Sequence, residues 1–270
     1  MSNKRRGGGL LAQLPTVVLG ILIILLAVTL AVAGTALVQI RVPVEVRDSH
    51  TVPLGLPNVG LTGIFGIIVG LTAFLVLGEY SDAQQALQSE AGDVEEIYRL
   101  AVPLPEPKQE QIQGLAASYA RVVVNEEWPL MEEDRTSPRA DALIEELRSS
   151  IQEGYKTSSV AEQDFFGQQL DVMDELDADR ESRVLAVHQR LPPILWIALV
   201  ILAMATIGFS SLAGMESRRL HLVTVGILAT GITVAMFTIG VLDRPFGTDF
   251  RVQPQPFELL LHEIEGNRGR

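Results

Sequence analysis

Three charged residues fall where the helical apolar pattern of this chain calls for hydrocarbon. Arg180 continues the series Met173, Leu176, Val184 and Val187, Glu90 sits three residues after Leu87, and Glu126 or Glu127 takes the matching place after Tyr119. A charge taken out of water must be paired, so the spacing predicts an internal ion-pair cluster of Arg180 with Glu90 and Glu127. Such a cluster is structural rather than catalytic. For other chemistry the chain offers little: there is no Cys, no His-Glu-x-x-His and no phosphate-binding glycine loop, and His50, His188, His221 and His262 stand apart in sequence. The triplet Glu132-Glu133-Asp134 has the charge to draw a metal, but it lies in a polar turn of the kind that is ordinarily solvated. Neither an enzyme nor a cofactor is expected.

The elements that must position these residues are dominated by four uncharged apolar runs, Pro15–Ile40, Gly60–Gly78, Pro193–Met215 and Leu222–Leu242. A helix needs about 20 such residues to cross the hydrocarbon layer, so all four are read as spans. Lys4, Arg5 and Arg6 before the first run, with Ala31-Val32-Ala33 inside it, have the outline of a secretory signal. The run continues through Leu37 to Ile40, too far for a signal, and is read as an uncleaved span. The expected fold is therefore all-α: an integral membrane protein with four transmembrane helices and a helical domain inserted between spans 2 and 3. The parts are a tail and hairpin at 1–78, an acidic helical domain at 79–191, a second hairpin at 192–242 and a C-terminal tail at 243–270.

Lys and Arg near the span ends give the orientation, because positive flanks stay on the cytoplasmic side. With the N-terminus inside, Lys4, Arg5, Arg6, Arg180, Arg183, Arg190, Arg244 and Arg251 are cytoplasmic, against Arg41, Arg47, Arg218 and Arg219 outside. Both termini and the insert are then cytoplasmic in an inner membrane, with outer loops at 41–59 and 216–221. The insert carries 25 acidic and 10 basic residues, a net charge of −15, and the remainder of the chain is +3. That sign repels nucleic acid and anionic headgroups. It suits either plain solubility or a vestibule that concentrates cations. Because the spans hold no Asp, Glu, Lys, Arg or His, proton-coupled transport through them is disfavoured.

Within the insert, Ala83, Leu87, Ala91, Val94, Tyr98 and Ala101 recur at helical spacing until Pro103 and Pro105 stop the run. A second helix after Pro107 carries Ile112, Leu115, Tyr119, Val122 and Val123 and is expected to end at Pro129. Ser137-Pro138 opens a third, with Leu143, Leu147, Ile151 and Tyr155, that Gly154 weakens near its end. A fourth runs from about Ser159 to Leu191. No strong breaker separates the second span from the first of these helices, so the two are expected to be continuous and the insert to be an antiparallel bundle.

Glu90-Ala91, Tyr98, Leu104-Pro105, Tyr119, Glu127-Trp128-Pro129, Arg180 with Arg183, Leu191-Pro192, Trp196 and the run Leu242-Asp243-Arg244-Pro245-Phe246-Gly247 together resemble the bestrophin-like domain family of bacterial membrane proteins. The likeness covers nearly the whole chain. Through a more distant likeness to bestrophins, it implies a homo-oligomeric ion channel whose second span lines a hydrophobic neck. In that family an acidic run after Pro-Phe-Gly forms a calcium clasp. Here Leu61, Phe65 and Val69 form an i, i+4, i+8 row suited to a dewetting constriction. Asp243 and Asp249 are the carboxylates available to a clasp, far short of the six to eight oxygens calcium takes. A helix terminus at Pro245 and Gly247 is the simpler reading there. Two functional classes stay open, a channel and a non-conducting scaffold or sensor whose helical bundle binds a partner protein.

Overall fold

The computed structural model describes residues 15–42, 44–213, 217–247 and 252–268. The chain divides into two units. One runs to Leu77 and resumes from Arg190 to Asp243; the other comprises Gly78–Gln189 and the chain from Arg244 onward.

The first unit holds α1 (Thr16–Arg41), the first part of α2 (Val44–Leu100), α7 (Pro193–Leu212) and α8 (Arg218–Leu242). Four helices are long and apolar enough to cross a membrane: α1, α2 from Pro57, α7 and α8. In lipid every peptide group must be satisfied within its own helix, which is why each run is one helix. Serine and threonine hydroxyls follow the same rule: Thr29, Thr230 and Thr233 donate to the carbonyl four residues back. α8 packs on α1 and α7, and α1 also packs on α7. Gly20 permits the α1–α8 approach, since a Cβ there would meet the Phe237 ring at 2.6 Å. α2 joins through Phe65 and Val76, buried with Leu199, Ala203, Ile232 and Ile239. Residues 44–59 were expected in an outer loop, but α2 already begins at Val44. α8 likewise starts at Arg218 and takes His221 out of the second expected loop.

The second unit is built from α2 beyond Gly78, α3 (Lys108–Val122), a π-turn (Val123–Glu127), α4 (Trp128–Met131), α5 (Pro138–Thr157), α6 (Val160–His188) and α9 (Gln255–Arg268). Its core contains the expected stripe of α2, Ala83, Leu87, Ala91, Val94 and Ala101, together with Ile97. Local signals set the helix starts. Ser137 accepts the amide of Ala140 at the head of α5. Ser159 and Glu162 form a reciprocal capping box at the head of α6.

Two expectations are corrected here. Pro129 does not end the second helix; the π-turn carries the chain into α4, where Pro129 stands in the first turn and has no helical partner to lose. The helix stops at Met131, where the Arg135 amide reaches back to the Leu130 carbonyl at 3.0 Å and that of Asp134 to Met131 at 3.2 Å. Asp134 takes a left-handed conformation there. Glu132-Glu133-Asp134 is thus the turn of a Schellman-type cap. The C-terminal stretch is not a loose tail either. α9 packs on α3, and its Phe257, Leu260 and Ile264 are buried in the core.

Candidate functional site

Inside the second unit, five elements bring charge to one place. α2 supplies Glu90, α3 Tyr119, the π-turn Glu127, α5 Asp141, and α6 both Arg180 and Arg183. Glu90, Glu127, Tyr119 and Arg183 are wholly buried, and Arg180 nearly so. Arg180 grips Glu127 with two parallel bonds of 2.8 and 2.9 Å and reaches Asp141 at 2.6 Å. Arg183 donates to Glu127 at 2.8 Å and to Glu90 through both Nη2, at 2.9 Å, and Nε. Tyr119 joins the two halves, donating to Glu90 and accepting from Arg180 at 3.1 Å. The three residues singled out in sequence therefore share one network. Arg180 meets Glu127 directly, whereas Glu90 is held by Arg183 and by Tyr119.

The π-turn, with one residue more per turn than an α-helix, lets Val123, Glu127, Trp128 and Met131 all face the core. Trp128 and Met131 then wall the Arg183 guanidinium, at 6.0 Å from ring centroid to Cζ and 2.9 Å from sulfur to Nη1. Burial by itself raises the Glu127 carboxyl, but Arg183 and Arg180 outweigh it and hold the group below its ordinary range. Burial and then the Glu90 charge push the Tyr119 phenol well up, so it stays a donor. Burial lowers the two guanidinium groups, and the surrounding anions more than restore them. Two arginines facing two buried glutamates with Asp141 at the rim make a locked ion cluster.

A second polar set lies in the first unit, where α1 ends, α7 ends and α8 begins. Thr35 and Ser211 share a 2.8 Å hydrogen bond. His221 is buried; its Nε2 donates to the Ser210 carbonyl at 2.9 Å, which leaves Nδ1 to accept from Gln39 at 3.2 Å. Asn58 on α2 donates to the Ser210 hydroxyl at 3.4 Å. One ring thus ties α1, α7 and α8. Sequence reading left His221 isolated, because its partners lie 182 and 11 residues away.

Asp243 closes α8. Its Oδ1 accepts from the Leu191 amide at 2.7 Å and its Oδ2 from the Trp196 indole at 3.4 Å. Both oxygens of this calcium candidate are thereby engaged, and Asp249 lies outside the described residues. Among the described residues no three His, Cys, Asp or Glu side chains are grouped so as to hold a metal ion. In the Pro245-Phe246-Gly247 turn, the Gly247 amide donates to the Arg244 carbonyl at 3.2 Å and Phe246 packs edge-on against Trp128.

Of the neck candidates, Phe65 is 6 % exposed, inside the cluster with Leu199 and Ile232, and Val69 packs beside it. Leu61 is half-buried. The opposite face of α2 is open: Ile67 is 65 % and Phe74 76 % exposed, and apart from the adjoining helix backbone no atom of the described residues lies within 4 Å of a Cβ placed at Gly60, Gly63, Gly66 or Gly70.

The bestrophin-like domain profile matches residues 25–257. The chain belongs to the bestrophin-like family. Solved structures similar to this bestrophin-like chain include two variants of a bacterial bestrophin homolog from Klebsiella pneumoniae. One aligns at 13 % identity and a TM-score of 0.71, covering 92 % of this chain and 99 % of the other. The second aligns at 12 % and 0.68, covering 93 % and 98 %. The same homolog solved by zinc phasing aligns at 14 % and 0.65, covering 92 % and 96 %. At such identities the likeness is one of fold. No curated protein sequence matches the chain significantly.

In this bestrophin-like chain, nine of the residues that carry the resemblance fall into two bonded sets. Glu90, Tyr119, Glu127, Trp128, Arg180 and Arg183 are the buried ion cluster and its wall. Leu191, Trp196 and Asp243 are the closure of α8. In sequence Arg183 enters only the orientation and the resemblance, not the predicted cluster. Its place three residues after Arg180 on one helix face is the signal that puts it in the cluster.

Proposed function

We propose that this bestrophin-like protein is a homo-oligomeric ion channel of the inner membrane, with the membrane half of α2 around the axis and the termini and acidic domain in the cytoplasm. The observation that carries the reading is the open face of α2. Lipid gives no reason to gather glycines on one face, whereas close approach between helices does. Gly60, Gly63, Gly66 and Gly70 approach no other element among the described residues; a second copy supplies the missing neighbour.

In this reading the neck falls to the open row of Ile67, Leu71 and Phe74 rather than to Leu61, Phe65 and Val69. Phe65, packed with residues of α7 and α8, has little surface left for an ion path. The excess of Lys and Arg at the span ends supports the cytoplasmic orientation. The charge of the insert favours cations over anions at its mouth.

The chain has no cysteine, so single cysteines test the arrangement cleanly. Gly70→Cys is expected to give disulfide-linked dimers of the purified oligomer. Ile67→Cys is expected to let a thiol reagent block the current in a planar bilayer, with Phe65→Cys unaffected. A monomer in solution, or block at Phe65→Cys and not at Ile67→Cys, overturns this arrangement. Absence of current under every salt and calcium condition hands the function to the scaffold reading.

A further inference from the structure

The α2–α6 interface contains a carboxyl group that the ion cluster leaves out. Two side chains tie the helices: Arg183 on Glu90, and Gln169, whose amide donates to the Ile97 carbonyl at 3.1 Å. Asp93 lies between them on the same face of α2, three residues after Glu90 and four before Ile97. The Asp93 residue is half-buried, and its Oδ2 is buried with no donor among the described residues. Gln169, wholly buried, has an Oε1 in the same condition. A buried acceptor without a donor is a costly arrangement.

The surroundings of Asp93 are anionic throughout. α6 presents Asp179 and Glu175, and α2 itself presents Glu90 and Glu96. The nearby cations are committed elsewhere. Arg183 and Arg180 belong to Glu90 and Glu127, and Arg99 is paired with Glu95 and with Glu263 of α9. α3 reaches this face through Tyr119, which is spent on Glu90. No cation faces Asp93 among these groups, and a proton is the smallest charge that relieves both the repulsion and the shortage of donors.

We propose that Asp93 is a proton-binding site at the α2–α6 interface, and that emptying it as the pH rises loosens the grip of α6 on α2. Burial first, and then the Asp179, Glu175, Glu90 and Glu96 charges, raise its carboxyl to about 7. Burial and the Glu90 charge also raise Asp179. In the unfolded chain the Asp93 carboxyl ionises near 3.8. Between that pH and 7 the folded state holds the extra proton, so the stabilisation is present at low pH and is lost as the pH climbs through about 7. The proposal concerns this unit alone and stands or falls separately from ion conduction.

The test is equilibrium unfolding of the full chain in detergent from pH 5.5 to 8.5, with Asp93→Asn beside wild type. The wild-type unfolding constant is expected to rise by up to about tenfold per pH unit and to level off above pH 8. Asp93→Asn is expected to remove most of that slope and to be at least as stable as wild type at pH 8. Equal slopes, or an Asp93→Asn protein weaker than wild type at pH 8, overturn the proposal. Should Asp93→Asn fail to fold, infrared spectra of wild type and of Asp179→Asn decide. A carboxylic-acid band that fades between pH 6 and 8, at a lower midpoint once the neighbouring Asp179 charge is removed, supports the site, and a band that is absent at pH 6 ends it.

Discussion

Arg183 donates to both buried glutamates from a position with no access to water. Arg183→Ala would strand Glu90 with Tyr119 as its only donor. Breaking a buried pair from one side costs about 3–5 kcal/mol, because the abandoned charge keeps its desolvation penalty. Arg148 offers the contrast. It bridges Asp174 and Asp177, whose side chains are largely exposed, and its removal is expected to cost roughly 1 kcal/mol or less. Denaturant unfolding of the two alanine variants measures the difference. Equal losses would mean that the cluster contributes nothing beyond a surface pair. Much of this cluster was legible in sequence, since a charge on an apolar stripe demands a partner wherever it occurs. Which anion meets which cation was not, because Tyr119 and Glu90 are 29 residues apart and Arg183 and Glu90 are 93 apart. His221 illustrates the limit: its type and position gave no hint of Gln39 or of Ser210.

At the scale of elements, helical spacing located most of the second unit, and its departures have physical causes. Pro129 looked like a terminator, but a proline costs a helix only where its amide is needed, and the π-turn places it at the head of a new one. The sequence reading places α9 in a C-terminal tail. Phe257, Leu260 and Ile264 nevertheless keep the i, i+3, i+7 spacing of a buried face. Gly154 was taken as a weakness near the end of α5. The structure makes it the seat of the Phe166 ring, which lies where a Cβ on residue 154 would be. Gly154→Ala should therefore destabilise by about 1–3 kcal/mol through overpacking, although alanine is the better helix former by roughly 1 kcal/mol. Adding Phe166→Leu is expected to restore much of the loss, as thermal melts of the single and double variants would reveal. If Gly154→Ala alone stabilises the protein, helix propensity outweighs the contact and the packing account fails.

For the whole molecule, charge sets the sign of what conduction should look like. The insert carries −15, and its two most deeply buried cations, Arg180 and Arg183, are spent on Glu127 and Glu90. Its outward field is therefore left to carboxylates, and copies gathered around one axis would multiply it. Such a field raises local cation concentration only within its screening distance, about 8 Å at physiological ionic strength and about 3 Å at 1 M. Selectivity arising from the mouth must then fade with salt, whereas selectivity arising from a dehydrated neck must not. Under an about tenfold KCl gradient at low ionic strength, where the screening length approaches roughly 30 Å, the reversal potential is expected on the potassium side. It should fall toward zero as the mean concentration approaches 1 M. A potential on the chloride side at low salt would show that the acidic domain does not govern permeation. A potassium preference that survives 1 M salt unchanged would move the selectivity to the row of Ile67, Leu71 and Phe74.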